Sequence, residues 1–221
     1  VCETPDYLKI RLAVFFSETE EEVRENMDAL NSGYSPPTPT LCNAGTTEGQ
    51  LASCQLHYLK GDDTDSIMES FKDLANSSRN KAGIGFAAYD LRAKGSKSSK
   101  GWGAAGTVQG MKILNEIMRF FDQGGKRPGS TAWYLTPWHK DVFDFLTAKK
   151  VTTHESLAAR DMFYALWISD EFMTRVENKD KWYLFCPNDL KKAGINLVNS
   201  YGEEFSKEYE RAIQMYKDGT L

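Results

Sequence analysis

The chain of 221 residues has an ordinary hydrophobic share of 41% and a formal net charge of −4 at pH 7. This composition is typical of a globular protein that buries a core, and it excludes a disordered tail. The negative charge balance indicates no general affinity for polyanions, so we expect no nucleic-acid partner. No apolar run reaches the roughly 20 residues of a membrane-spanning helix, and no signal-peptide pattern opens the sequence, so we expect a cytoplasmic protein with no membrane partner.

The four cysteines, Cys2, Cys42, Cys54 and Cys186, are irregularly spaced and include no C-x-x-C pair. With only three histidines beside them, we expect neither a metal site nor a disulfide framework. Cys54 lies in the stretch QLASCQLHYL, which reads as a strand that leaves a loop. Because free cysteine is most often a small buried hydrophobe, the stretch alone leaves open whether Cys54 does chemistry.

Two helices are predicted near the start of the chain. Residues 7–16 are almost continuously apolar, which predicts a buried helix, and residues 17–20 form a capping-box pattern ahead of apolar residues at helical spacing. Residues 35–52 are rich in Pro, Thr, Asn and Gly, which predicts an ordered loop. We therefore divide the chain into an N-terminal helical segment, 1–34, and one larger domain, 35–221.

Strands alternate with helices through the rest of the chain. The predicted strands begin near Cys54 and span 82–91, 130–135 and 162–168, and the predicted helices cover 67–75, 108–121, 140–149, 170–178 and 203–216. This alternation favours an α/β architecture with parallel strands. The sequence opens on Val1 and ends directly after a helical pattern, so we expect a piece of something larger.

Two loops rich in glycine and basic residues, 92–106 and 122–129, interrupt this pattern. Backbone amides and cations of such loops can hold a triphosphate, but neither loop fits the P-loop or the G-x-G-x-x-G pattern. Each loop alone is typical of a solvated connection, and the first is flexible by composition. Asp62, Asp63 and Asp65 are typical of the acidic start of a helix, although opposite a triphosphate they would accept hydrogen bonds from a ribose hydroxyl or a base.

Seven short motifs follow one another along the chain: PTLCNAGT (39–46), LASC (51–54), AGIG (82–85), DQGGKRPG (122–129), YLTPWH (134–139), ALWI (165–168) and FCPN (185–188). In this order the motifs resemble the large subunit of class I ribonucleotide reductase over nearly the whole chain. The resemblance implies an α/β fold, namely half of a ten-stranded α/β barrel. This parallel five-stranded half would carry flanking helices and be completed by another chain. His139, within the fifth motif, lacks an obvious partner in the sequence and is expected to be structural.

The resemblance also assigns residues to a substrate site. Cys54 would be the redox-active thiol beside the substrate ribose. A cysteine thiol is mostly protonated at neutral pH, so it can protonate the leaving 2′-hydroxyl and then supply an electron pair as a disulfide forms with a second thiol. Thr38 and Ser53 would hydrogen-bond the diphosphate or ribose of a ribonucleotide substrate, and the backbone of Ala82 and Gly83 would lie under its base.

The same resemblance implies an effector site for a deoxynucleoside triphosphate or ATP, bound with Mg²⁺. Arg92 and Lys97 of the first basic loop would lie nearest the triphosphate. Asp62 would contact the effector ribose or base, with Asp63 and Asp65 as alternatives. The second loop would lie between effector and substrate, so that the effector biases which base fits. Its expected effector-binding residues are Asp122, Gln123, Lys126 and Arg127.

The family's N-L-C-x-E segment, which carries the radical cysteine, does not occur in this sequence. We therefore expect a fragment of a split ribonucleoside-diphosphate reductase that is inactive alone. Its partners would be the complementary fragment, a radical-generating small subunit that holds the radical cofactor, and, indirectly, thioredoxin or glutaredoxin. Self-association would use the helix faces at 67–75 and 108–121. The alternative is a non-catalytic deoxynucleotide-binding regulator derived from the same family.

Overall fold

The computed structural model describes residues 3–47, 50–52, 54–80, 82–98, 101–121, 129 and 131–221. The strands are β1 (Cys54–Tyr58), β2 (Gly83–Ala87), β3 (Thr131–Leu135) and β4 (Phe163–Leu166). The helices are α1 (Pro5–Phe15), α2 (Glu20–Asn31), α3 (Thr38–Asn43), α4 (Thr64–Arg79), α5 (Thr107–Phe120), α6 (Val142–Thr147), α7 (Asp170–Asn178), α8 (Pro187–Lys192) and α9 (Gly202–Lys217). No helix within these ranges is long and apolar enough to cross a membrane.

The strands form one parallel sheet in the order β1-β2-β3-β4. Cys54 pairs with Gly83 at the start of the first two strands, and Ile84 pairs with Thr131 at the start of the next pair. Parallel neighbours need a crossover, which α4 provides between β1 and β2 and α5 between β2 and β3. The predicted α/β class is confirmed, and the sheet is consistent with half of a barrel. The described residues contain four of the five strands expected for such a half.

Helices α4 and α5 cover one face of this sheet. In β2 and β3 every second residue points toward these helices and is buried, among them Ile84, Phe86, Trp133 and Leu135. The helices contribute buried residues of their own to the same core, namely Phe71, Leu74, Met111, Leu114 and Met118. Apolar side chains at helical spacing meet apolar side chains at strand spacing here, which is why the two periodicities in the sequence predict this layer correctly.

The apolar stripes of α4 and α5 are therefore part of the chain's own core. Leu74 and Leu114 are fully buried within the chain, so the expected self-association contact is wrong for these residues. The same two ranges, 67–75 and 108–121, also carry apolar side chains that remain exposed, namely Met68 on α4, and Ile113 and Phe120 on α5, and self-association itself stays a prediction.

The opposite face of the sheet is largely uncovered by the described residues. Cys54, Leu56 and Tyr58 alternate along β1 and all point to this side. Leu56 and Tyr58 are 84% and 74% exposed, which is unusual for apolar side chains of a parallel sheet. This uncovered face matches the apolar inner face expected of half a barrel.

The first two helices pack against each other ahead of the sheet. A capping box opens α2, but it lies two residues later than the predicted pattern at 17–20, since Thr19 accepts from the Glu22 N–H and Glu22 accepts from the Thr19 N–H. The prediction of a buried first helix is wrong for the chain as described, because Tyr7 is 68% exposed and only Leu12 and Ala13 are buried. Continuous hydrophobicity did not distinguish a helix inside this core from one that presents an apolar surface.

A second hydrophobic cluster joins α8 and α9 to the turn after β3. Its largest buried side chains are Trp138, Phe185 and Tyr209. The Tyr209 hydroxyl accepts from the Tyr183 N–H at 2.7 Å and donates to the Tyr183 carbonyl at 3.0 Å. The cluster thereby fixes α8 beside the carboxyl end of the sheet.

His139 is fully buried beside this cluster and is a structural residue, as expected. Its Nδ1 accepts from the Asp141 N–H at 3.0 Å, so Nε2 carries the proton and donates to the Leu91 carbonyl at 2.8 Å. Burial lowers the pKa of His139 from its ordinary value of 6.5, and the folded protein therefore holds the neutral ring.

This burial predicts acid sensitivity below about pH 6.5. Between the lowered pKa and 6.5 the unfolded chain binds the proton and the folded chain does not, so the free energy of unfolding decreases as the pH falls. Urea unfolding at several pH values measures this slope. The slope below pH 6.5 should be smaller in His139→Gln and unchanged in His154→Gln, which alters an exposed histidine; equal slopes in all three proteins would contradict the prediction.

Candidate functional site

Cys54 begins β1 on the uncovered face of the sheet, where its side chain is exposed. Its partner across the ladder is Gly83, and neighbouring strands lie about 4.8 Å apart. Gly83 has no side chain to cover the thiol. Ala82, by contrast, is fully buried, and its N–H donates to the Ser77 carbonyl. The structure therefore brings Gly83 beside the thiol, while the amide of Ala82 is already used by the end of α4.

Helix α3, which begins at Thr38, is fastened to the segment that enters β1. The Thr40 hydroxyl donates to the Leu51 carbonyl at 3.0 Å, and the Asn43 amide donates to the Gln50 carbonyl at 2.6 Å. The sequence predicted only an ordered loop here, but a six-residue helix forms. Exposed Thr38 thus belongs to the structure that surrounds the start of β1.

The other described cysteines lie in different surroundings. Cys42 is exposed on α3 near the Arg11 guanidinium, and Cys186 is buried at the start of α8. Cys54 is thus the described cysteine that lies on the uncovered sheet face, at the start of a strand.

A cavity of about 680 Å³ lies at the other end of β1. Four residue steps of about 3.3 Å separate Cys54 from Tyr58, so roughly 13 Å of strand lies between the thiol and the cavity end. The floor of the cavity is apolar and consists of Leu59, Ile67, Phe71, Leu91, Ile113 and Trp133. Charged residues also line it, namely Asp62, Asp63, Arg92, Lys97 and Lys192. An apolar floor with a charged rim suits a ligand that has a flat ring and an anionic group.

Asp62 and Arg92 form an ion pair in this rim. The Arg92 Nε donates to Asp62 Oδ2 at 2.5 Å, and the Arg92 backbone N–H donates to Asp62 Oδ1 at 3.2 Å. Burial raises the pKa of Asp62 above its ordinary value, while the Arg92 guanidinium opposes that rise. The structure brings these two predicted effector residues together, so a ligand that contacts Asp62 also meets Arg92.

Asp63 is the N-cap residue of α4, as its position in the sequence suggested. Its carboxylate accepts from the Ser66 N–H at 3.0 Å and from the Ser66 hydroxyl at 2.6 Å. These hydrogen bonds, chiefly that of the Ser66 hydroxyl, lower the pKa of Asp63. Asp65 lies in the first turn of α4, where an acidic side chain complements the helix dipole.

The first basic loop is more ordered than its composition predicted. We call residues 93–106 the arm, of which 93–98 and 101–106 are described. The Gly95 N–H donates to the Ala104 carbonyl at 2.9 Å, and the Ser98 N–H donates to the Trp102 carbonyl at 2.8 Å. These bonds form a small hairpin that places Lys97 on the cavity wall. The prediction of a flexible linker is therefore wrong for the described residues.

Sequence reasoning missed several residues of the cavity. Lys192 and Asn188 come from α8, and Gln109 comes from the first turn of α5. A neighbouring depression of about 490 Å³ also contains Asp62, Arg92 and Lys192. The order of strands in the sequence could have pointed to this region, because the segments that follow parallel strands meet at the carboxyl edge of the sheet.

Five predicted site residues lie outside the described residues: Ser53, Asp122, Gln123, Lys126 and Arg127. The described elements that flank the second loop are α5, which ends at Phe120, and β3, which starts at Thr131. Because Thr131 pairs with Ile84 and Cys54 pairs with Gly83, β3 starts at the same end of the sheet that carries Cys54.

The comparison with known proteins agrees with this architecture. A family model described as the barrel domain of ribonucleotide reductase matches residues 52–220. The ribonucleoside-diphosphate reductase large subunit of Acanthamoeba polyphaga mimivirus is 41% identical over 213 residues, which cover 95% of this chain and 24% of the relative. The large chain of Schizosaccharomyces pombe is 40% identical over 96% of this chain and 26% of its own length. The large subunit of Danio rerio is 40% identical over 97% of this chain and 27% of its own length.

The chain thus spans about a quarter of the length of these curated relatives. The family model covers most of the chain, including all four described strands. The parallel sheet with one uncovered face is the architecture that half of a barrel requires. The chain therefore belongs to the ribonucleotide reductase family, to whose barrel domain its sheet and the helices packed on it correspond.

Proposed function

We propose that this chain supplies the redox thiol and the effector cavity of a ribonucleoside-diphosphate reductase. It acts as one fragment of a split large subunit and is inactive alone. The observation that supports this function best is the position of Cys54, exposed at the start of β1 and paired with Gly83 on the uncovered sheet face. A thiol in that place can reach a substrate bound between this half of the barrel and its complement.

The proposed chemistry uses Cys54 as an acid and then as a reductant. Its thiol protonates the 2′-hydroxyl of the ribonucleotide, which leaves as water. Cys54 and a second thiol from the complementary fragment then give two electrons to the sugar as they form a disulfide. The fragment with the N-L-C-x-E segment supplies the radical cysteine, which a separate small subunit oxidises, and thioredoxin or glutaredoxin renews the dithiol.

The substrate is held near the start of β1. Thr38 and Ser53 bind its diphosphate or ribose through their hydroxyl groups. The open backbone at Gly83 accommodates the base, with Ala82 supporting it from the buried side of the sheet. The fastening of α3 to the chain before β1 supports this arrangement, because it keeps Thr38 on the thiol's end of the sheet.

The cavity at the other end of β1 binds the effector, a deoxynucleoside triphosphate or ATP with Mg²⁺. Its apolar floor takes the base, and the cations Arg92, Lys97 and Lys192 bind the phosphates through charge-assisted hydrogen bonds. Asp62 accepts from the ribose or base. Asp122, Gln123, Lys126 and Arg127 of the second loop carry the effector signal toward the substrate.

Self-association completes this site in the proposed assembly. The exposed side chains Met68, Ile113 and Phe120 belong to α4 and α5, and Ile113 also lines the cavity. These side chains replace the buried stripes as the expected contact between two copies.

Native mass spectrometry of the protein purified gently from its own source tests the proposal. A stoichiometric association with a chain that bears N-L-C-x-E supports a split reductase. A homodimer that binds deoxynucleoside triphosphates without such a chain supports the regulator instead, because the cavity would function without the thiol chemistry. Sequencing of every chain in the complex distinguishes the two.

In the assembled reductase, Cys54→Ser should abolish multiple turnover of the ribonucleotide, because a hydroxyl cannot form the disulfide. Effector binding should be unchanged, since the cavity lies at the other end of β1. Cys42→Ser is the matched control, because it removes another exposed thiol from the same part of the chain and should leave turnover intact. Sustained reduction by the Cys54 variant would disprove the assignment.

Lys97→Ala and Lys192→Ala should each weaken binding of a deoxynucleoside triphosphate. A charge-assisted hydrogen bond contributes about 1.5–3 kcal/mol, so we expect a decrease in affinity of roughly 10- to 100-fold by titration calorimetry. Lys207→Ala removes an exposed lysine of α9 outside the cavity and should bind normally. Equal affinity in all three variants would show that the phosphates lie elsewhere.

A further inference from the structure

One buried carboxylate holds both ends of the arm. Asp141 lies in the turn between β3 and α6 and is only 6% exposed. Its two oxygens accept from the Lys94 N–H at 3.0 and 3.1 Å, and Oδ2 also accepts from the Thr107 N–H at 2.9 Å. Lys94 is the second residue of the arm, and Thr107 directly follows its last residue. The Asp141 carboxylate therefore holds the two ends of the arm next to each other.

The two ends of the arm approach each other so closely at position 106 that only glycine fits there without strain. Gly106 has a φ of +85°, which disfavours other residues. A Cβ at this position would lie 2.7 Å from Asp141 Oδ2 and 2.7 Å from the Lys94 Cβ. The close approach brings the two ends of the arm within reach of a single carboxylate.

The turn that carries Asp141 is itself fixed. The Asp141 N–H donates to Nδ1 of His139, and Nε2 of His139 donates to the Leu91 carbonyl just before the arm. On its other side the arm is held by α8, since the Asn188 amide donates to the Ser96 hydroxyl at 3.1 Å. The arm is thus held between two parts of the core, and Asp141 provides the bonds to both of its ends.

We propose that Asp141 is a positioning residue for the cavity: it fixes the arm so that Lys97 and the start of α5 face the ligand. Asp141 does not itself line the cavity in the described part of the chain, whereas Arg92, Lys97, Ser98 and Gly106 do. It therefore acts through the arm and not through the ligand. This inference rests on the proposed function of the cavity as a nucleotide site.

The arm needs such an anchor because a segment rich in glycine, serine and lysine loses much conformational entropy when it becomes ordered. Fixing each backbone residue costs roughly 1–2 kcal/mol, and the few hairpin bonds of the arm do not offset this for its whole length. Hydrogen bonds from two backbone N–H groups, those of Lys94 and Thr107, to the buried Asp141 side chain stabilise the ordered arm before a ligand arrives. Without them, a ligand would have to order the arm and would bind more weakly.

Asp141→Asn tests the proposal with little change in size. The amide NH2 replaces one acceptor oxygen with a donor, and because both carboxylate oxygens accept from the Lys94 N–H, this donor faces Lys94 in either orientation of the group. Asp144→Asn is the matched control, since Asp144 is a half-exposed carboxylate three residues along that approaches the arm only at Lys94 Nζ, 4.0 Å away. Gly106→Ala serves as a second variant, because its Cβ would press against Asp141 Oδ2 and the Lys94 Cβ and so disturb the junction without removing the carboxylate.

Two measurements are made on the full protein with each variant: hydrogen exchange of the arm amides, and the affinity for dTTP with Mg²⁺. In Asp141→Asn and Gly106→Ala we expect faster exchange at Lys94 and Thr107 and an affinity for dTTP at least about 10-fold lower. Saturating dTTP should restore slow exchange in the arm, which a general loss of stability would not show. Asp144→Asn should match the unsubstituted protein in both measurements.

Each outcome decides a different statement. Unchanged exchange of the arm in the folded Asp141→Asn protein overturns the positioning role, whether or not nucleotide binds. Faster exchange with unchanged dTTP affinity also overturns it, because the arm would then be loose without consequence for the ligand. Failure of the unsubstituted protein to bind dTTP, any other deoxynucleoside triphosphate or ATP overturns the proposed function of the cavity, and the exchange data then still decide whether Asp141 holds the arm.

Discussion

A parallel sheet normally buries both of its faces, and this requirement governs the arrangement of the whole chain. Helices α4 and α5 cover one face and fill it with the main hydrophobic core. The other face remains largely uncovered, with Leu56 and Tyr58 exposed along the edge strand β1. A sheet in this state has a strong hydrophobic drive to pack against a further layer. The exposed thiol of Cys54 lies on the face that such a layer would enclose.

The two ends of the sheet differ in the chemistry that they can support. At the amino end, the thiol of Cys54 lies beside Gly83, which has no side chain to cover it. At the carboxyl end, the segments that follow the strands converge on a cavity with fixed charges. The arm precedes α5 at the carboxyl end, and β3, the next described strand, starts at the amino end. Helix α5 therefore begins beside the arm and leads back toward the amino end of the sheet.

The sequence predicted the parts of the fold that depend on local periodicity. All four described strands, and the helices with clear apolar stripes, were found near their expected positions because burial on one side produces such stripes. Helices α3 and α8 were missed, since each has six residues and a proline in its first turn, too short for periodicity. Only the family resemblance pointed to Asp62 and Arg92 together, and their effector role stays a prediction. Lys192 was missed because it reaches the cavity through the tertiary placement of α8.

The arm shows most clearly why composition alone was insufficient. Its glycine, serine and lysine content is that of a linker, and by itself such a segment would gain too little from its own hydrogen bonds to become ordered. Its order arises from side chains far away in the sequence, Asp141 and Asn188 above all, which bond to its backbone and to Ser96. The same glycines that signal flexibility are what permit the close approach at Gly106. Composition indicates the conformational freedom of the isolated segment. The carboxylate of Asp141, which restricts that freedom, lies in the turn between β3 and α6.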